Sequence, residues 1–267
     1  MNFKSIKLDV SNNIATLSLA RTETLNSISL AFADEIIQAV KHLDSDDDVN
    51  VIILKSDARI FCAGMDLKDF ASLGFDGKAK SSLEFPIKID QLFECCNVFE
   101  ECRKPVIAAV HGACVGGGLD MISACDIRLC SEDATFCLKE AAIGFVADMG
   151  VLQRLPFIIG QGFTREMAFT ARFYAAREVE RMGMINMVYP DVESLMEGAK
   201  KLAAQIAANA PLAVGATKEV LNYNTKAAIQ EGMSMAVHKN MVLVSSEDVK
   251  EAASAFIEKR NPNFKGR

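Results

Sequence analysis

Hydrophobic and polar residues alternate along the first half of the chain with two different periods. Residues Ile14–Leu19 alternate at the period of a strand, and apolar residues between positions 32 and 43 repeat at helical spacing. Patterns of buried strands follow at residues 51–54 and 106–110, with a helical pattern over residues 87–102 between them. Strands that alternate with helices over short connections predict an α/β fold with a largely parallel sheet.

From about residue 193 the helical period continues without a strand between the helices. The predicted helices cover residues 193–208, 211–223, 225–243 and 246–258. Pro211 suits the first position of its helix, and Ser245 with Asp248 resembles a capping box at the start of the last one. The sequence therefore predicts two regions, an α/β core over residues 1–192 and a helical region over residues 193–267.

An apolar, methionine-rich face lies on the third of these helices. It includes Met233, Met235 and Met241. Side chains of this kind at helical spacing predict a packing surface, within the subunit or between subunits, rather than a cofactor site.

The composition is that of an ordinary globular protein. Half of the 267 residues are apolar, 24% are charged, and the formal net charge is −6. Such an acidic chain has no general affinity for nucleic acid or anionic membranes, and no apolar run approaches the ~20 residues that span a bilayer. Residues 1–10 lack the apolar region of a signal peptide, so we expect a cytoplasmic protein, or a mitochondrial one if a presequence has been removed.

Cysteine and histidine usage does not predict a metal site. The eight cysteines include no C-x-x-C pair, and the chain has only three histidines. We therefore expect reduced, buried thiols and no structural metal ion.

Two glycine-bearing turns carry the strongest chemical signal. Residues 61–67 follow the strand at 51–54, and residues 111–120, with three consecutive glycines, follow the strand at 106–110. Backbone N–H groups at such turns can approach a ligand closely, and two turns on neighbouring strands can direct two donors to one oxygen, as in an oxyanion hole. Taken alone, the triple glycine fits a tight turn equally well, and it matches neither a dinucleotide-binding fingerprint nor a P-loop.

Acidic residues follow the second turn in order. Asp120 closes the turn, Glu140 lies 20 residues later, and Asp148 lies eight residues beyond Glu140. The loop 144–150 around Asp148 is otherwise apolar, and a carboxylate among apolar neighbours has a raised pKa that suits proton transfer near neutral pH. Taken singly, these acids are more simply explained as exposed loop acids or helix caps, and Asp126 fits a structural ion pair or cap.

Several motifs, in order along the chain, resemble one family. They are residues 25–27, 61–67, 111–118, 125–128, 152–156 and 264–267. This set covers nearly the whole chain and is similar to the crotonase (enoyl-CoA hydratase/isomerase) superfamily. The resemblance implies a spiral of ββα units, followed by C-terminal helices that mediate assembly of a homotrimer or a dimer of trimers.

The resemblance also implies an acyl-CoA thioester as the substrate. CoA is then part of the substrate, and no separate cofactor, metal, nucleic acid or membrane is expected as a partner. The thioester oxygen would accept hydrogen bonds from the backbone N–H groups of Met65 and Gly117. The residues implied for the substrate site are Cys62, Ala63, Gly64, Met65, Asp66 and Gly117.

The three acids distinguish reactions within the superfamily. Enoyl-CoA hydratases resemble this chain at the turns but carry Glu at the position of Asp120 and a small residue at that of Asp148. The trio of Asp120, Glu140 and Asp148 is more similar to isomerases that convert 3,5-dienoyl-CoA to 2,4-dienoyl-CoA in fatty-acid β-oxidation. This similarity implies that Glu140 and Asp148 are the proton-transfer pair and that Asp120 is an auxiliary acid.

The chemistry of that reaction favours two separated acids. A proton leaves C2 and another arrives at C6, while the negative charge collects on the thioester oxygen. C2 and C6 are too far apart for one rigid carboxylate, whereas a hydratase needs two acids around one water. The sequence leaves open which acid serves which carbon.

Other reactions and other binding residues remain as alternatives. The alternative functions are enoyl-CoA hydration, 3,2-enoyl-CoA isomerisation, and a non-catalytic scaffold of the same fold that binds RNA. Candidates for holding the CoA phosphates are Arg21, Lys68 and Lys265, each more simply a solvated surface charge. The shape of the loop 70–86 would set the preferred acyl-chain length.

Overall fold

The structure, a computed structural model, describes residues 3–66, 69 and 79–266, and only the backbone of residues 79–88 and 91. The strands are β1 (Ile6–Ser11), β2 (Ile14–Leu19), β3 (Val51–Ser56), β4 (Val106–Val110), β5 (Ala113–Val115), β6 (Ile127–Ser131), β7 (Thr135–Cys137), β8 (Tyr174–Ala175) and β9 (Met187–Tyr189). The α-helices are α1 (Leu30–Ser45), α2 (Ala79–Glu101), α3 (Gly117–Ser123), α4 (Val151–Thr170), α5 (Ala176–Arg181), α6 (Val192–Ala207), α7 (Pro211–Leu243) and α8 (Glu247–Glu258).

A six-stranded sheet in the order β1-β2-β3-β4-β6-β9 forms the centre of the fold. Among its described strands only β1 and β2 pair in antiparallel fashion, so the predicted parallel sheet is confirmed. The strands predicted at residues 14–19 and 106–110 have those bounds, and the one predicted at 51–54 extends to Ser56. The helix predicted from residue 87 instead begins at Ala79, so Pro86 lies inside the helix rather than before it.

Both faces of this sheet are covered, so adjacent residues of one strand enter different cores. Ile52 and Leu54 of β3 lie in the larger core, with side chains of α1 and α2. Val51 and Ile53 lie in a smaller core on the opposite face, where Leu195 of α6 packs against them. Burial on both faces explains the unbroken apolar run of β3, which is typical of strands inside a parallel sheet.

A second, three-stranded sheet in the order β5-β7-β8 completes the core. β5 directly follows β4 and β7 directly follows β6, so each of these pairs contributes one strand to each sheet. Strands of two or three residues are too short for their alternation to be read from the sequence. The small sheet matters for the site because β5 ends at Val115, immediately before the three consecutive glycines.

The C-terminal region is helical, as predicted, but its helices are divided differently. α7 is one helix of 33 residues rather than two. Polar side chains at the predicted break find partners, since Nδ2 of Asn222 donates to the Glu100 carbonyl at 2.9 Å. The cap of α8 is Ser246, whose hydroxyl accepts from the Val249 N–H at 3.2 Å, so the predicted capping box at Ser245 was one residue early. The division at residue 192 stays a prediction.

The eight cysteines are all buried and unpaired, which confirms the prediction of buried thiols. Burial raises the pKa of Cys62 to about 12, so this thiol stays protonated at neutral pH. Within the described ranges, no three histidine, cysteine or acidic side chains are grouped so that they could hold a metal ion. None of the described helices is long and apolar enough to cross a bilayer.

Candidate active site

The first glycine turn runs beside Ile28 as a short parallel bridge. The Ile28 N–H donates to the Gly64 carbonyl at 2.8 Å, and the Asp66 N–H donates to the Ile28 carbonyl at 2.9 Å. Successive N–H groups of an extended backbone point to opposite sides, so the N–H of Met65 points away from Ile28. This N–H donates to no other described residue.

The second glycine turn ends at the first residue of α3. The Gly116 N–H donates to the Cys137 carbonyl at 2.9 Å, and the Gly116 carbonyl accepts from the N–H groups of Leu119 and Asp120. Gly117 occupies the first position of α3, where a backbone N–H has no acceptor within the helix. The N–H of Gly117 also has no acceptor elsewhere in the described chain. Met65 and Gly117 are thus two backbone donors that the described fold leaves unused.

The two turns are in direct contact. The Val115 N–H donates to the Cys62 carbonyl at 3.0 Å, and a Cβ on Gly64 would lie 3.1 Å from the Val115 carbonyl oxygen. A Cβ on Gly116 would lie 2.8 Å from Oε1 of Glu140. Gly64 and Gly116 also have φ angles of +94° and +50°, which side chains disfavour. Glycine is therefore required at both positions, and a carboxyl group lies directly beside the second turn.

The other residues predicted for the substrate site differ in exposure. Cys62 is fully buried, and its thiol donates to the Asn26 carbonyl at 3.1 Å, so its side chain belongs to the core. Ala63 is exposed, whereas Met65 and Asp66 are partly exposed. The turn therefore reaches the surface at Ala63 and, beyond the buried Gly64, at Met65 and Asp66.

Asp120 lies in the first turn of α3 and is fully enclosed, with 1% of its surface exposed. Its Oδ1 accepts from the N–H of Val151 at 2.8 Å and so joins α3 to the start of α4. Its Oδ2 is buried and has no partner in the described chain. Burial raises the pKa of Asp120 well above its usual range, and the charge of Glu140 adds to the rise. The site therefore favours the protonated form of Asp120.

Glu140 begins a short 3-10 helix, Glu140–Ile143, that follows β7. Its Oε1 reaches the backbone of Gly116, and its Oε2 is buried without a partner among the described residues. Burial raises the pKa of Glu140 to about 7, and the charge of Asp148 contributes to the increase. At neutral pH this carboxyl group is therefore present in both protonation states.

Asp148 lies in the loop between that 3-10 helix and α4. Its Oδ2 accepts from Nδ2 of Asn240, on α7, at 2.7 Å. Burial raises the pKa of Asp148 to about 6, while the hydrogen bond from Asn240 lowers it. Since the charge of Asp148 also acts on Glu140 and Asp120, the structure brings the three predicted acids together in one cluster.

Two residues of this cluster were missed by the sequence analysis. Asn240 is 2% exposed and shares one face of α7 with the buried Met233 and Val237. The presence of an asparagine within this apolar stripe was the signal in the sequence that could have indicated a role for Asn240. Arg154 is 3% exposed, forms an ion pair with Glu100 at 2.9 Å, and its charge opposes the rise in the pKa of Asp120.

Asp126 has the structural role that was predicted for it. Its Oδ2 accepts from Nζ of the buried Lys218 at 2.7 Å and from the N–H of Val106 at 2.7 Å. This ion pair ties α7 to the edge of the sheet and takes no part in the acid cluster.

The candidates for holding CoA phosphates have different surroundings. Arg21 pairs with Asp66 at 3.0 Å and is partly buried, so it is not the solvated charge that was expected. Lys265 lies on the exposed C-terminal segment, where its N–H donates to Asp248 at 2.6 Å. Lys68 and the whole of the loop 70–86 lie outside the residues whose side chains are described.

Comparison with known proteins gives full-length matches. The profile of the enoyl-CoA hydratase/isomerase family matches residues 9–267. A relative from Arabidopsis thaliana, named a peroxisomal Δ(3,5)-Δ(2,4)-dienoyl-CoA isomerase, is 39% identical over 97% of this chain and 95% of its own length. A mitochondrial protein of the same name from Dictyostelium discoideum is 37% identical over 99% of this chain and 92% of its own length. The crystal structure of an enoyl-CoA hydratase/isomerase from Pseudoalteromonas atlantica superposes on this chain with a TM-score of 0.86. The two sequences are 26% identical, and the match covers 98% of this chain and 100% of that one.

A mixed α/β core, two contacting glycine turns and a helical C-terminal region define a crotonase-type enzyme, and the predicted fold class is confirmed. The chain belongs to the enoyl-CoA hydratase/isomerase family.

Proposed function

We propose that the protein isomerises 3,5-dienoyl-CoA to 2,4-dienoyl-CoA. The observation that carries this proposal is the cluster of three carboxyl groups, Asp120, Glu140 and Asp148, beside two unused backbone donors. The names of the relatives from Arabidopsis and Dictyostelium agree with it. The reaction moves protons without a change in oxidation state, so it calls for no cofactor beyond the CoA of the substrate.

The backbone donors stabilise the intermediate in this proposal. Removal of a C2 proton gives a conjugated enolate, whose negative charge collects on the thioester oxygen. The N–H groups of Met65 and Gly117 donate to that oxygen and stabilise the charge as it develops. One such donor is typically worth ~2.7–4 kcal/mol of transition-state stabilisation.

In this proposal Glu140 acts at C2. Its Oε1 lies beside Gly116, the neighbour of the donor Gly117, and C2 is bonded to the carbonyl carbon whose oxygen Gly117 would bind. The second acid of the pair, Asp148, then delivers the proton to C6 in this proposal. Geometry has priority over pKa in such an assignment, because a proton-transfer group must first reach its atom.

The pKa values are compatible with this division of roles. Burial raises the pKa of Glu140 to about 7 and that of Asp148 to about 6. Moving the shared proton from Glu140 to Asp148 therefore costs on the order of 1 kcal/mol. This cost is small beside a catalytic barrier, and the pair can hold one ionised and one protonated carboxyl at neutral pH.

The decisive experiment gives the purified protein two substrates. With a 3,5-dienoyl-CoA we expect the absorbance of the conjugated 2,4-dienoyl product to appear, and with crotonyl-CoA we expect little hydration. Robust hydration without dienoyl isomerisation would instead establish a hydratase. Salt-sensitive RNA binding without turnover of either substrate would establish a non-catalytic scaffold.

A second experiment tests the roles of the two acids. In D2O, Asp148→Asn should still exchange the C2 hydrogen of a 3,5-dienoyl-CoA for deuterium, because Glu140 remains, but should release little isomerised product. Glu140→Gln should lose the exchange as well. The reverse pattern would interchange the two roles while leaving the reaction itself intact.

We further propose that copies of the chain assemble as a homotrimer or a dimer of trimers. Large apolar side chains on α4 and α7 support this assembly: Phe157, Phe169, Leu212 and Leu221 are 61%, 75%, 89% and 67% exposed. Sedimentation velocity should give a mass three or six times that of one chain, and a monomer would contradict the proposal. Location in the cytoplasm stays a prediction.

A further inference from the structure

We propose that Asn240 is a positioning residue of the proton-transfer site, which fixes the direction of the Asp148 carboxylate and connects it to the C-terminal helix α7. The proposal rests on the function proposed above. It assigns to α7 a part in the chemistry, whereas the family resemblance implied only a part in assembly for the C-terminal helices.

The orientation of the Asn240 amide is determined by its contacts. Its Oδ1 accepts from the Val146 N–H at 2.9 Å, and its Nδ2 donates to the Val146 carbonyl at 2.8 Å. A flipped amide would set an NH2 group against an N–H and an oxygen against a carbonyl oxygen, so the backbone of Val146 fixes the orientation. The side of Asn240 that faces Asp148 is therefore a donor.

The remaining hydrogen of Nδ2 is directed at Asp148. Nδ2 donates to Oδ2 of Asp148 at 2.7 Å, which is the short distance typical of a hydrogen bond to an ionised carboxylate. Both hydrogens of Nδ2 and the amide oxygen are then used. Asn240 has no donor left for substrate, so it acts through Asp148 rather than on the reacting chain.

The surroundings hold this amide in place. Asn240 is 2% exposed, and α7 lies close against α4, since a Cβ on Gly232 would lie 2.6 Å from the Gln153 side chain. A buried amide between packed helices cannot exchange its partners for water without exposing Val146 and Asp148 unpaired. The loop that carries Asp148 is thus fixed at one point by a residue that comes 92 positions later.

The charged groups around Asp148 determine how strongly its pKa depends on the hydrogen bond from Asn240. The charge of Asp148 acts on the carboxyl groups of Asp120 and Glu140, and the positive charge of Arg154 acts on Asp120. Two hydrogen bonds favour the ionised form of Asp148, one from the side chain of Asn240 and a weaker one from the backbone N–H of Asp148 itself. Removing the Asn240 donor should raise the pKa of Asp148 above about 6.

The test measures the titration of Asp148 directly and then the reaction. The wild type and two variants, Asn240→Leu and Asn240→Ala, are labelled with 13C at the aspartate carboxyl groups, and the Asp148 signal is identified by its loss in Asp148→Asn. We expect the pKa of Asp148 to rise by about one unit or more in Asn240→Leu, since a hydrogen bond to a charged group is worth that much. The rise should be smaller in Asn240→Ala, where water can enter the vacated space.

The same variants are assayed with 3,5-dienoyl-CoA across pH. Asn240→Leu should lower kcat roughly 10- to 100-fold with KM little changed, because Asp148 loses the bond that fixes its direction and that stabilises the carboxylate left after it delivers its proton. The pH profile should move upward with the pKa of Asp148. The matched control is Asn222→Ala, on the same helix, which loses a comparable bond to the Glu100 carbonyl. It should lower the melting temperature without moving the pH profile.

The outcomes separate this proposal from the proposed reaction. An unchanged titration of Asp148 in both Asn240 variants overturns the positioning role, and so does a pH profile that moves equally in Asn222→Ala. If the titration shifts but the wild type does not isomerise the dienoyl substrate, the contact is as proposed and the assigned reaction is wrong. Should Asn240→Leu fail to fold, Asn240→Ala provides the same two measurements.

Discussion

The two halves of the candidate site are built in different ways. The donor half consists of backbone groups on two glycine turns, which the hydrogen bonds of Ile28 and Gly116 hold within the core. The acid half consists of side chains on α3, on a short 3-10 helix and on the loop after it, and a helix from the far end of the chain holds the last of them, Asp148. The donors are consequently fixed by local structure, whereas the properties of the acids depend on what packs around them.

The largest effect should come from removing an acid without changing its shape. Asp148→Asn should lower the isomerase kcat by at least ~10²-fold, because general acid–base catalysis typically contributes that much. Affinity for the CoA ester should change little, since the donor half is untouched. Steady-state kinetics check both quantities, and near-normal turnover would remove Asp148 from the mechanism.

A smaller loss of kcat should follow from a change at Gly116, where the donor half contacts Glu140 of the acid half. In Gly116→Ala the new methyl group would lie 2.8 Å from Oε1 of Glu140, at a φ of +50° that alanine disfavours. We expect kcat to fall roughly 10- to 100-fold, because a displacement of about 1 Å in a reacting group has effects of this size. Single-turnover kinetics measure the loss, and an unaffected rate would show that Glu140 does not need its present position.

The acid half should reduce stability where its carboxyl groups are ionised. The folded protein raises the pKa of Glu140 from 4.5 to about 7, so the folded state holds this proton more tightly than the unfolded state. Stability is then lost as pH rises from about 4.5 to about 7, and above this window Glu140 destabilises the fold by about 3 kcal/mol.

Glu140→Gln should remove that dependence. The variant should melt at a higher temperature than the wild type near pH 8, and the difference should shrink towards zero near pH 4. Thermal unfolding across this range provides the check. A difference in melting temperature that does not vary with pH would mean that Glu140 titrates normally in the folded state.

The smallest effect should come from a glycine outside both halves. Gly162 on α4 has no atom within 4 Å of the position of a Cβ. Gly162→Ala should stabilise the protein by about 0.5–1 kcal/mol, because alanine loses less conformational entropy in a helix. Activity should stay at the wild-type level. A loss of stability in Gly162→Ala would show that the fold requires the conformational freedom of a glycine backbone near the kink at Gly160.

The difference between the two halves also explains how much the sequence revealed. The glycine turns could be predicted because a strand followed by Gly116, Gly117 and Gly118 needs no distant information. The three acids could be proposed from their order, but not their environment, because the partner of Asp120 is a backbone N–H of α4. Asn240 was missed because nothing near it in sequence indicates what it faces.

The elements of the fold likewise divide into those set by a local sequence pattern and those set by distant contacts. β4 was predicted with its bounds, since five successive apolar residues between Pro105 and His111 leave little choice. β5 and β7 were not predicted, because three-residue strands are defined by their pairing with each other. The two predicted helices that form α7 were joined by a contact between Asn222 and α2 that no local pattern contains.

The long separation between Val146 and its partner on α7 has a consequence for biosynthesis. The two residues are 94 positions apart, and α7 follows every described strand of both sheets along the chain. During translation the sheet and both turns can be completed while α7 has yet to leave the ribosome. We therefore expect a nascent chain to form its two glycine turns first and the bond between Asn240 and Asp148 last, so that in the proposed reaction the competence to move protons would be the last to develop.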